Sequence, residues 1–112
     1  MLFLVELDHV KPGTTMTPES GRMFIEQVIS PTIARAEQLI AEKKIVAGGP
    51  VAGRISLRLM VEADSASDVD RIISSFPLWT VAETRVTPLI TFSERRDHVQ
   101  SLLANLEIRG GS

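Results

Sequence analysis

Residues 65–89 read S-A-S-D-V-D-R-I-I-S-S-F-P-L-W-T-V-A-E-T-R-V-T-P-L, and a change of period inside this stretch decides the fold. Ser65 followed by Asp68 has the spacing of a capping box, so a helix is expected to open there. Val69, Ile72, Ile73 and Phe76 then recur on one helical face. Pro77 cannot continue the hydrogen-bond ladder and ends the helix. From Thr80 the pattern becomes strict alternation. Ala82, Thr84 and Val86 point one way; Val81, Glu83, Arg85 and Thr87 point the other. The second set puts a carboxylate and a guanidinium on one sheet face, which is where chemistry is expected.

Working outward, Leu2–Val10 alternates as a strand, with Phe3, Val5 and Leu7 on one face and Leu4, Glu6 and Asp8 on the other. Residues 11–16 form a loop, and residues 14–22 are candidates for a mobile cover. Thr17 is the expected N-cap of a first helix, with Pro18 at its first position. Its apolar face runs through Ile25, Ile29, Ile33, Ala36 and Ile40, and Pro31 predicts a kink or a break. Lys43 and Lys44 suit the helix end. Ile45–Ala47 reads as a short second strand, Gly48-Gly49-Pro50 as a turn, and Arg54–Ala63 as a third strand. Ser93 is the expected cap of a last helix, striped by Val99, Leu102, Leu103 and Leu106.

The order β-α-β-β-α-β plus a C-terminal helix predicts an α+β, ferredoxin-like sandwich with strand order 4-1-3-2. A single domain is expected over residues 1–108, with a flexible tail at 109–112. Both helices then cover one sheet face. The other keeps Leu4, Met60 and Val81, so a second copy packing sheet to sheet, as a homodimer or a higher homo-oligomer, is its simplest cover.

Composition narrows the chemistry. With 112 residues, 44% hydrophobic and 23% charged, the chain has the make-up of an ordinary globular domain. A net charge of −2 gives no electrostatic footprint for nucleic acid. The absence of cysteine excludes disulfides and thiolate nucleophiles, and His9 and His98 are too far apart to form a local metal motif. No cofactor is expected. No stretch has the apolar length of a membrane span, and the early charges do not suit a signal peptide, so the cytoplasm is the default.

Three stretches carry a family resemblance: M-L-F-L-V-E-L at the start, A-E-K-K-I-V-A-G-G-P-V-A-G in the middle, and F-P-L-W-T-V-A-E-T-R-V-T-P-L near the end. Together they resemble the muconolactone isomerase family of small dimeric α/β-barrel proteins, across nearly all of residues 1–92. The resemblance implies a cofactor-free isomerase moving a proton on a small acidic lactone or a related intermediate of aromatic catabolism. Leu4 and Glu6 stand where isomerases of this family tend to carry a histidine and, two positions later, a basic residue. That departure motivates an alternative, a non-catalytic small-ligand-binding or accessory dimer. A purely structural interaction module is the third possibility.

Candidate site residues follow from strand parity. Glu6 on the first strand falls among Arg58, Glu83 and Arg85, a cluster suited either to holding a carboxylate while a second carboxylate moves a proton, or to a cross-strand ion-pair ladder. Arg58 and Arg85 are the expected anion anchors, and Glu6 or Glu83 the proton carrier. His9 is the reserve base, imidazole being the side chain suited to that work near neutral pH. Trp79 is a candidate for the pocket rim or a packing anchor.

Overall fold

The structure, a computed structural model, describes residues 1–10 and 16–110. Strand β1 (Leu2–His9) leads to α1 (Pro18–Phe24), a π-helical segment (Ile25–Ile29) and α2 (Ser30–Ala41). Strands β2 (Ile45–Pro50) and β3 (Ser56–Glu62), helix α3 (Ala66–Ser74), a 3₁₀ turn (Pro77–Val81), β4 (Ala82–Leu89) and α4 (Phe92–Gly110) complete it. The sheet is antiparallel in the order β2-β3-β1-β4, as the alternation predicts. Of the expected loop at 11–16 and the cover at 14–22, residues 11–15 lie outside the described residues, and Pro18–Arg22 is helical. Of the expected tail, Arg109 and Gly110 continue α4, while residues 111–112 lie outside.

The core lies between the helices and one sheet face. Phe3, Val5 and Leu7 of β1 meet Leu57, Leu59 and Val61 of β3, covered by Leu39, Val69, Ile73, Phe76 and Leu78. At about 1.5–3 kcal/mol for each large apolar side chain withdrawn from water, this cluster is the main source of stability. β4 is an edge strand, so Ala82 is only half buried, and Thr84 and Val86 stay exposed on the core-facing side.

Local chemistry explains most boundaries, including those that depart from the sequence reading. Thr17 accepts a hydrogen bond from the Ser20 N–H at 3.1 Å, as expected of a cap. Pro31 does not break its helix. The turn before it widens instead, with the Ser30 N–H donating to the carbonyl of Ile25, five residues back. Widening re-pairs backbone groups that a proline would otherwise orphan. α2 closes with the Lys44 N–H on Leu39 O and the Lys43 N–H on Ile40 O, a Schellman closure with Lys43 at φ 61°.

Gly48-Gly49-Pro50 is strand, not turn. Gly48 has φ +103°, and a Cβ there would overlap the Arg58 carbonyl, so glycine serves close strand approach beside a bulge. Pro50 is tolerated because β2 is an edge. The chain reverses later, through Val51–Ile55, where the Val51 N–H meets Ser56 O at 2.9 Å and Gly53 takes φ 77°. β3 therefore starts at Ser56 rather than Arg54, and β4 at Ala82, after the 3₁₀ turn that Pro77 opens.

Ser65 caps α3 as expected, accepting from the Asp68 N–H at 3.2 Å, while the Asp68 carboxylate turns to Arg71. The cap of α4 is Thr91, not Ser93. Thr91 Oγ1 accepts from the Glu94 N–H at 3.0 Å, and Glu94 Oε1 accepts from the Thr91 N–H at 3.3 Å. None of the α4 residues is buried. The radius of gyration, 19.6 Å, exceeds the ~13 Å of a compact chain of this length because α4 projects from the body. Among the described residues, no helix is long and apolar enough to cross a membrane.

Candidate active site

The polar residues singled out from the sequence fall in two places, a groove on the open sheet face and a cleft at the end of β1. On the face without helices, register sets Glu6 between Arg58 and Arg85, and Asp8 between Ser56 and Glu83. Arg58 Nε lies 3.4 Å from Glu6 Oε1, and Arg85 reaches Glu6 Oε2 at 3.9 Å. Arg58 also donates to both Asp8 oxygens, at 3.0 and 3.3 Å, and Arg54 donates to Asp8 Oδ1 at 3.3 Å. Hydrogen bonding from Ser56 and then from Arg58, reinforced by the charges of Arg58 and Arg54, holds the Asp8 carboxyl below its ordinary value.

The structure thus brings Glu6, Arg58, Glu83 and Arg85 together around a shallow groove of about 380 Å³, which Asp8 and Thr84 also line. Its acids outnumber its arginines, and Glu6 and Asp8 already have guanidinium partners. An incoming anion therefore finds little uncompensated positive charge there.

His9 is on the other face. It follows Leu7 in the alternation of β1, and its ring packs on Phe24 of α1 with centroids 4.9 Å apart. Its Nδ1 is buried and has no hydrogen-bond partner among the described residues. The ring also lines a cleft. This cleft, about 730 Å³, is bounded by His9, Gly53, Arg54, Ile55 and Ser56, where β1 ends beside the β2–β3 reversal. Arg54 stands at its edge with a largely exposed side chain, still in contact with Asp8 around the strand end.

Trp79 lies on the 3₁₀ turn, 41% exposed, and among the described residues it lines neither the groove nor the cleft. Asp8 binds two arginines and has a larger part in the cluster than strand parity suggested. Arg54 as a site residue and the cleft itself are absent from the sequence reading, whose pointer to this region was His9 as the reserve base. Among the described residues, no group of histidine and carboxylate side chains is placed to hold a metal ion.

The sequence matches the profile of the muconolactone delta-isomerase family over residues 1–95. The chain belongs to the muconolactone delta-isomerase family. The family match ends early in α4, so most of that helix lies beyond it. No curated protein matches the chain in sequence. Among solved structures, it is similar to muconolactone isomerase, with 21% identity, a TM-score of 0.65, and coverage of 81% of this chain and 90% of that one. It is also similar to the 5-chloro-2-hydroxyhydroquinone dehydrochlorinase of Burkholderia phenoliruptrix, solved in complex with 2,5-dihydroxybenzoquinone. There the identity is 24%, the TM-score 0.60, and the coverage 84% of this chain and 98% of that one. At these identities the two structures speak to the fold, which they share with this α+β sheet and its helices.

Proposed function

We propose that this chain is a cofactor-free catalyst of proton transfer on a small acidic lactone or a related ring intermediate of aromatic catabolism, working as a cytoplasmic homodimer. Membership of the muconolactone delta-isomerase family supports the reaction class. The observation that carries the site is the helix-side cleft, where a histidine with one ring nitrogen buried shares a wall with an arginine.

In this reading Arg54 pairs with the acid group of the substrate, for which its planar fork is suited. His9 takes a proton from a ring carbon, the double bond shifts along the ring, and the imidazolium, whose proton exchanges with water, returns one proton two atoms away. Atoms and charge balance, and neither a metal nor an oxidant enters. The Glu6–Asp8–Arg58–Arg85 network is then the cross-strand ladder, holding register on the face that the second copy covers.

The test is purified protein with muconolactone, followed by absorbance and by proton exchange in deuterium oxide. His9→Asn and Arg54→Gln are expected to abolish turnover. Arg58→Ala and Glu83→Gln are expected to leave most of it. Loss of turnover in Arg58→Ala or Glu83→Gln, with the fold and dimer intact, would return the site to the open face. The alternative, a binding protein without catalysis, is favoured by Leu4 and Glu6 in the first strand. It predicts a ligand-induced thermal shift with no exchange of ring protons in the wild-type protein.

A further inference from the structure

Beside the His9–Arg54 cleft lies a half-open apolar annex, and we infer that it selects small acids carrying an apolar substituent about the size of one six-membered ring. This inference rests on the reading of the cleft as the place where the acid group binds. The annex measures about 140 Å³ and is walled by Ile29, Ile33, Pro50, Leu57 and Leu78. It also shares Arg54, Ile55 and Ser56 with the cleft, so the two spaces adjoin at the arginine.

Several features suit the annex to an apolar ring. Its volume is close to the roughly 150 Å³ that accommodates a benzene ring. Thr32 reaches it as a polar wall residue, and its hydroxyl oxygen accepts the Leu78 N–H at 3.1 Å, so that donor is satisfied within the wall. Ile29 and Ile33 stand one helical turn apart, straddling the end of the π-helical segment, and face the β2–β3 reversal. Ile33 and Ile55 are 48% and 41% exposed, apolar groups left in water at the rim of an otherwise packed region. An apolar pocket with one charged group at its mouth recognises an amphiphilic ligand, charge outward and ring inward.

The experiment compares acetate, phenylacetate and benzyl alcohol by NMR titration of methyl-labelled protein. Phenylacetate is expected to bind at least tenfold more tightly than acetate and to show nuclear Overhauser contacts from its ring to the methyls of Ile29, Ile33 and Leu78. Ile33→Trp, at an exposed position, is expected to remove most of the phenyl advantage without altering acetate binding. Arg54→Gln is expected to weaken both acids and leave benzyl alcohol unaffected.

If the phenyl ring adds nothing, or its contacts lie elsewhere, the annex inference is overturned, while loss of both acids in Arg54→Gln still upholds the cleft as the acid site. If the ring contacts appear but Arg54→Gln binds both acids as well as wild type, the annex stands and the acid-site reading falls. The contacts are read in the wild-type protein, so the inference stays testable even where Ile33→Trp folds poorly.

Discussion

Lys43 holds the left-handed position of a Schellman closure with φ 61°, a conformation that costs a residue with a Cβ roughly 1 kcal/mol relative to glycine. Lys43→Gly is therefore expected to raise stability by up to about 1 kcal/mol, measured by urea denaturation, provided the extra freedom of the unfolded glycine does not cancel it. Gly48 is the opposite case. Positive φ and the Arg58 carbonyl together leave no room for a methyl group, so Gly48→Ala is expected to destabilise by about 2 kcal/mol or more. Asp8 sets a pH dependence. Its carboxyl titrates below the ordinary 3.8, so its contribution is full above that pH and is lost as the pH falls through the lower, folded-state value. Asp8→Asn is expected to lower stability at neutral pH and to flatten the acid limb of a stability–pH curve below pH 3.8.

At the scale of elements, the π-helical segment before Pro31 matters most. Widened turns occur disproportionately at functional sites, and this one contributes Ile29 to the annex wall. Pro31→Ala supplies the N–H that would satisfy Gln27 O in a regular helix. It is expected to increase helicity by circular dichroism and raise the melting temperature while weakening phenylacetate binding, a stability gain at the expense of the site. Unchanged binding with raised helicity would show that the segment does not shape the annex. Most element ends were legible from short-range chemistry: Thr17 and Ser65 as caps, Pro77 as a stop, the alternation of β1 and β4. The Gly48–Pro50 misreading has a physical cause. Gly-Gly-Pro signals a turn locally, whereas here the glycine answers to a neighbouring strand that is remote in sequence.

Across the whole molecule, α4 extends from a body that buries none of its residues, and Val99, Leu102, Leu103 and Leu106 are each more than half exposed. Exposed apolar surface on this scale calls for a partner, and a second copy that also covers the open sheet face meets the need. Light scattering is expected to give at least twice the 12.3 kDa of one chain. Because α4 adds nothing buried to the subunit, Leu102→Glu with Leu106→Glu is expected to leave the subunit folded and to weaken association. A stable 12.3 kDa species in the wild type would remove the dimer from the proposal.

The sequence by itself determined the element order and the faces of β1, β3 and β4, which follow from periods of two and 3.6 residues, and the strand order, which follows from the handedness of the crossovers. It brought Glu6, Arg58, Glu83 and Arg85 to one face on parity alone, and it placed Asp8 and His9 on opposite faces by the same rule. Only the tertiary structure decided how those charges pair, with Arg58 shared between Glu6 and Asp8 and Arg54 drawn around the strand end to Asp8. It alone revealed the cleft and its annex, whose walls come from the end of β1, the β2–β3 reversal, the π-helical segment, α2 and the 3₁₀ turn. No period links those segments. Their meeting is set by how the helices settle on the sheet, and that packing is where the apolar annex and the histidine's surroundings arise.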